Sequence, residues 1–407
     1  MPWRWLLSGL FFGFGIIIFD PDSLKWGVAT LLLYGVSLVC QFFKFQVLRL
    51  VSLWFGIFIV MQTLLTPYIR YHIEYRALLP NIDTTVQTEG EAQTITTDEM
   101  GFRVHPRINY NQKKGFRIFS LGGSTTEQIF IDDQKTWTYL LQESLSKEFS
   151  EPFEVVNTGV SGTRVRNHFA KLKRLIQYEP DMAIILAGVN DWNKQITDSV
   201  RIYKMEPYFL RKSLLAKALQ GIDVFFLGPL KSKFFRDDSR GTKNIEPEKQ
   251  TKNPEATRKK DSLRRSVEFS WKPEDVSDEF KVYLKKIQET CEEKKILCVL
   301  LTQPNGYQES ANSDYKKLFW MTPPFANFTL DFESMIYLAN LYNNHIRSFA
   351  KQNKMPLCDI ANNLEASKEI FYDDCHFTVK GAQMVSEFVS PCLADILEKN
   401  KLVVRSN

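Results

Sequence analysis

The sequence predicts an α/β protein built on a doubly wound, flavodoxin-like parallel sheet and preceded by N-terminal transmembrane helices. Three observations carry this. Three apolar runs open the chain, at residues 5–19, 26–43 and 47–65. From residue 116, short apolar stretches alternate with amphipathic ones, the rhythm of strands and their covering helices. The third such strand, at residues 182–187, is apolar throughout, as a strand covered on both faces requires. The expected organisation is a membrane anchor over residues 1–66, a connector over 67–112 and the α/β domain over 113–399, with an insertion at 193–271.

A spanning helix needs about 20 apolar residues, within a range of about 17 to 25. The second and third runs reach that length, and the first does so if Trp3 and Trp5 sit in the interface, so about three spans are expected. No small-x-small cleavage site follows the first run, which argues against a signal peptide. Arg4 precedes the first run, Asp20 and Asp22 follow it, and Lys44 and Arg49 separate the second from the third. Basic flanks stay in the cytoplasm. The chain beyond Leu65 is therefore expected outside the cell membrane, periplasmic or extracellular, although Arg70 and Arg76 pull the other way.

Over 407 residues, 44% hydrophobic and 24% charged content are globular averages. The net charge of +5 is scattered, with no basic stripe interleaved with aromatics, so no nucleic-acid partner is expected. Of the six cysteines, Cys40 belongs to an apolar run. Cys291, Cys298, Cys358, Cys375 and Cys392 show no C-x-x-C spacing, which argues against zinc. Cys298 and Cys358 fall in predicted strands and are expected as small buried apolar side chains. An oxidising compartment would permit a disulfide, but the spacing names no pair. No metal or organic cofactor is expected.

The elements follow in order. Residues 97–103 read as a turn leading into the domain. Strand one, residues 116–121, ends in Gly122-Gly123-Ser124. A helix near 135–149, a strand at 153–157 and a helix near 164–178 follow, the last stopped at Glu179-Pro180. After strand three the insertion breaks the rhythm. Its half at 210–230 is apolar and reads as an extra packed helix, with a lid or a bilayer-facing surface as alternatives. Its half at 231–265 is dense in charge and is expected as a mobile surface loop. A helix near 275–294, a strand at 296–302, a helix near 331–352 and a strand at 356–360 resume the pattern. Thr378 then caps a final helix to residue 397.

Each of the first three strands runs into a small polar motif: Gly122-Gly123-Ser124, Asn157-Thr158-Gly159-Val160-Ser161-Gly162, and Gly188-Val189-Asn190-Asp191. In a parallel sheet these ends share one crevice. A hydroxyl, backbone N–H groups and a side-chain amide would meet there, the set that acyl transfer needs for attack and for the oxyanion that develops. The base comes last in the chain. Tyr372-Asp373-Asp374-Cys375-His376 places an acid three residues before a histidine, ahead of the final helix. An imidazole can take a serine proton while a carboxylate on its other nitrogen holds the tautomer. His72, His105, His168 and His345 have no such acidic neighbour and read as surface or core residues. The nucleophile elbow G-x-S-x-G is absent, since Thr126 stands two after Ser124.

The ordered set GGSTTEQ, NTGVSG, GVND and DDCH resembles the SGNH (GDSL-type) hydrolases, over about residues 98–397. The likeness is to bacterial membrane-anchored members, through the D-E-x-G-F-R lead-in, the Thr302-Gln303-Pro304 triplet and the Y-D-D-x-H-F-T ending. Gly123 stands where the GDS pattern has aspartate, as in many relatives. The resemblance implies Ser124 as nucleophile and His376 as base. It implies Asp373 as the base's orienter, preferred over Asp374 by the D-x-x-H spacing. It also implies Ser124, Gly159 and Asn190 as the oxyanion donors. The activity it implies is hydrolysis of an acyl ester, acetyl above all, of a small molecule, carbohydrate or lipid. O-acyl transfer to an envelope polysaccharide and a non-catalytic polysaccharide-binding or assembly module are the alternatives. Trp192, Tyr307 and Trp320 are candidates to stack on a sugar ring, with packing the expected role of each. Asn327-Phe328-Thr329 is a glycosylation sequon.

Overall fold

A computed structural model describes residues 74–88, 91–203, 267–319 and 328–405. The three apolar runs, His72, most of the insertion, Trp320 and Asn327 lie outside these residues. Among the described residues no helix is long and apolar enough to cross a membrane.

The site is carried by a five-stranded sheet. Its strands are β3 (Phe116–Gly122), β4 (Phe153–Asn157), β5 (Met182–Leu186), β7 (Leu297–Leu301) and β9 (Leu357–Cys358). They run parallel in the order β4-β3-β5-β7-β9. Every residue of β3, β4 and β5 is buried, which is why these stretches read as unbroken apolar runs. The strand order reverses at β3, so the crevice beyond the C-terminal ends of β3 and β5 is the switch point where such sheets bind ligands.

Five long helices cover the sheet after the first turn, α1 (Ser124–Glu127): α2 (Trp137–Glu148), α3 (Val165–Leu175), α4 (Val189–Tyr203), α5 (Asp278–Lys294) and, after the short α6 (Ser313–Lys316), α7 (Phe332–Gln352). A sixth, α8 (Val379–Lys399), closes the chain and packs on α2. On the other face α3 packs on α5, and Tyr342 of α7 meets both Phe280 of α5 and Trp192 of α4 through edge-on ring contacts. Side chains cap four of these helices: Thr136, Ser277, Asp331 and, as expected, Thr378 each accept a backbone N–H of the first turn, a contact that contributes about 1 kcal/mol.

Four features depart from the sequence reading. The connector contains an antiparallel hairpin of β1 (Asp83–Thr88) and β2 (Glu91–Thr96). Asp132 and Asp133, ahead of α2, accept the N–H groups of Thr94 and Thr96 at 2.8 and 2.7 Å, so the hairpin is bonded to the domain. The stretch from Val189 is helix α4, continuing the strand–helix rhythm where a break was expected. A short parallel pair joins β6 (Val267–Phe269) to β8 (Phe328–Leu330). Finally, Cys298 and Cys358 are not thiols: Cys298 bonds Cys291 and Cys358 bonds Cys392, each tying a strand to a helix beside it. Spacing could not name these pairs because each depends on which helix lies on which strand.

Candidate active site

Ser124 is the first residue of α1, directly beyond β3. Its Oγ lies 2.6 Å from His376 Nε2, and His376 Nδ1 lies 2.6 Å from Asp373 Oδ2. The Asp373 carboxylate is completely buried, and its Oδ1 accepts the backbone N–H groups of Cys375 and His376 at 2.8 and 2.7 Å. A carboxylate held by its own turn cannot swing away, so the imidazole it faces is held as well. Tyr315 donates its hydroxyl to the Asp373 carbonyl at 2.7 Å, and Tyr372 stacks on the His376 ring at 5.5 Å. Asp374 turns the other way and accepts the hydroxyl of Tyr307, which settles the geometric competition between the two acids.

Of the three residues expected to supply oxyanion donors, two reach the cleft. Ser124 and Asn190 line one cleft of about 320 Å³ together with Ser161, Gly162, Trp192, Tyr307 and His376. Asn190 Nδ2 donates to the Thr163 carbonyl at 2.9 Å, which orients its amide and occupies one of its two hydrogens. Gly159 is the correction. It does not line the cleft; its N–H is committed to Asn157 Oδ1 at 2.9 Å. A Cβ there would stand 2.2 Å from the Glu127 nitrogen, so this glycine is required by close packing. Gly162 is the glycine of that loop that faces the cleft. It has φ of +74°, open space where a Cβ would be, and an N–H that no acceptor takes among the described residues. Sequence alone could not choose between two glycines three residues apart in one loop.

Beneath this loop lies a buried charged cluster that sequence reading missed. Arg103, from the lead-in turn, donates to the carbonyls of Glu127, Gln128 and Ile131 and pairs with Asp133 at 2.7 Å. Lys171 of α3 donates its ammonium to the Thr158 carbonyl. Burial pushes the Lys171 amine down to about 7, partly offset by the nearby Glu127. Burial pushes the Glu127 carboxyl up, against the bonds it accepts from Ser161 and the charges of Arg103 and Lys171. His168, one turn before Lys171, has neither ring nitrogen bonded and is pushed down to about 3 by burial, so it is neutral. Asp191 accepts the Val165 N–H at the start of α3 and is pushed up to about 7 by burial. The only signals available in the sequence were the arginine of the D-E-x-G-F-R turn and a lysine and a histidine at helical spacing.

Trp192 and Tyr307 each contribute to the cleft wall but are only 1% and 4% exposed, so packing is their main role, as expected. Among the described residues one group has metal-ligating character, Asp373, Cys375 and His376, and its acid and imidazole are already bonded to each other.

A hydroxyl bonded to an imidazole, an acid behind it and N–H donors around one crevice make a site for attack on an acyl carbon. With the sheet order, they define an enzyme of the SGNH hydrolase type. Residues 120–384 match the GDSL-like Lipase/Acylhydrolase family, and the chain belongs to it. A comparison with curated proteins finds no match. Solved structures with a similar fold include TesA, at 14% identity and a TM-score of 0.38, covering 69% of this chain and 99% of that one. The psychrotrophic esterase EstA from Pseudoalteromonas sp. is 11% identical with a TM-score of 0.37, covering 70% and 99%. A catalytic mutant of Axe2, an acetylxylan esterase from Geobacillus stearothermophilus, is 13% identical with a TM-score of 0.37, covering 70% and 94%.

Proposed function

We propose that this enzyme is a serine esterase that removes an acyl group, most simply acetyl, from a carbohydrate or lipid ester. The observation that carries the reading is the continuous chain from Ser124 through His376 to Asp373, at 2.6 Å in both links. Ser124 attacks the ester carbonyl while His376 Nε2 takes its proton; Asp373 keeps the other nitrogen protonated and stabilises the imidazolium. The oxyanion is met by the N–H of Ser124, the amide of Asn190 and the N–H of Gly162 in place of Gly159. His376 returns the proton to the departing alkoxide, then activates water to release the acid from the acyl-enzyme.

The same reading places the enzyme at the cell membrane, anchored by the apolar runs of residues 1–66, with its site outside the cytoplasm. The flanking charges support this, and so do two disulfides, which persist in oxidising compartments. The test uses the full chain in detergent or vesicles with p-nitrophenyl acetate. Ser124→Ala is expected to abolish turnover; unchanged turnover would remove Ser124 from the reaction. Adding an acetylated donor with an oligosaccharide acceptor separates the alternative. Acylated sugar forming faster than free acid would make the protein an O-acyltransferase.

A further inference from the structure

Glu127 stands three residues after the nucleophile, closes the turn that presents it, and takes no part in the steps above. It is 2% exposed, and taking a carboxylate out of water costs several kcal/mol unless it is well bonded. Its Oε2 accepts both the backbone N–H and the hydroxyl of Ser161, the residue directly before Gly162. The same turn and loop meet at two further points. Asn157 Nδ2 donates to the Thr126 carbonyl at 2.6 Å, and Gly159 packs flat against the Glu127 backbone. Arg103 grips the Glu127 carbonyl from outside, and Lys171 lies near enough for its charge to act on the carboxylate. On either side the Val160 N–H and the Thr163 hydroxyl donate to the Gly122 carbonyl at 3.2 and 3.1 Å, and among the described residues the Glu127 carboxylate is the one group of the turn bonded to Ser161 itself.

We propose that Glu127 is a positioning residue: it holds the Ser161-Gly162 backbone against Ser124 so that the Gly162 N–H faces the oxyanion. The proposal rests on the esterase reading for its catalytic consequence, but the anchoring it describes does not need turnover to be observed. Hydrogen-bond donors at such sites act through preorganisation, because a donor that must move into place at the moment of reaction loses much of its effect. One short segment, Ser124–Glu127, would thus carry both the attacking atom and the brace for the group that stabilises the charge it creates.

The test compares Glu127→Met, which keeps the stem and removes the acceptor, with Glu127→Gln, which retains one acceptor oxygen, and with Ser161→Ala, which removes only the hydroxyl contact. For p-nitrophenyl acetate, Glu127→Met is expected to lower kcat roughly 10- to 100-fold, short of the 100- to 1,000-fold cost of deleting a donor. KM should stay within about threefold, and inactivation by a phosphonate ester should slow by the same factor as kcat, because its adduct carries the same oxyanion. Glu127→Gln should recover part of the loss. Amide hydrogen exchange at Ser161 should quicken in Glu127→Met, a readout independent of catalysis. Unaltered protection at Ser161, or a kcat within threefold of the parent in folded Glu127→Met, overturns the proposal. If Glu127→Met does not fold, Ser161→Ala decides, with a threefold to tenfold fall in kcat expected and none overturning it. A parent enzyme without Ser124-dependent turnover would instead overturn the esterase reading, while exchange at Ser161 still judges the anchor.

Discussion

The two halves of the active site are held by different kinds of interaction. The nucleophile turn and the glycine loop rest on buried charge: Arg103 with Asp133, Glu127 with Ser161, and Lys171 with the Thr158 carbonyl. The base loop carries the buried carboxylates of Asp373 and Asp374, but what supports it from outside is neutral: Tyr315 on the Asp373 carbonyl, Tyr307 on Asp374 and Tyr372 stacked on the imidazole. Buried charges are costly to strand and respond to protons, whereas phenol hydroxyls contribute about 1 kcal/mol each and do not titrate at neutral pH. Substitution and pH should therefore act most on the supports of the first half, while the tyrosine supports of the second should tolerate change.

The largest effect is expected at Arg103. Arg103→Met leaves Asp133 buried without its guanidinium partner and frees three carbonyls, and should cost about 3–5 kcal/mol in urea unfolding. A loss under about 1 kcal/mol would show that charge does not hold this half. Next comes a pH effect at His168. Its imidazole is pushed to about 3 in the fold, against 6.5 when unfolded, so the unfolded chain takes up the proton first and stability drains as pH falls through that window. Asp191 works oppositely: pushed to about 7 from 3.8, it loses stability as pH rises across its window, and the two partly cancel. His168→Phe should therefore gain on the parent as pH falls from 7 to 4, by up to about 3 kcal/mol. A difference that stays flat with pH would mean His168 does not titrate as a buried neutral ring. The smallest effect is expected among the neutral supports, where Tyr315→Phe should cost about 1 kcal/mol and leave kcat within a few-fold. A loss rivalling that of Arg103→Met would reverse the contrast.

Much of the fold was legible because β3, β4 and β5 are buried on both faces, and such strands advertise themselves as apolar runs closed by small polar residues. The nucleophile, the base and the acid were legible for a related reason: strand ends in a parallel sheet converge, so motifs placed there must meet. The hairpin of β1 and β2 was not, since DTTVQT and EAQTIT have too few large apolar residues to announce strands. Nor was α4, whose first turn doubles as the Gly188-Val189-Asn190-Asp191 motif and so read as loop.

By itself the sequence determined the sheet class and the order of the motifs, and the resemblance those motifs carry named Ser124, His376, Asp373 and Asn190 as candidates, because local pattern and the rule that parallel strands end together bring them to one crevice. Tertiary structure alone decided three things: that Gly162 and not Gly159 faces the cleft, which cysteines pair, and that Glu127, Lys171 and Arg103 converge beneath the loop. The physical reason is common to all three. Each is a choice between chemically equivalent groups, and only the direction in which the packed backbone points them tells one from another.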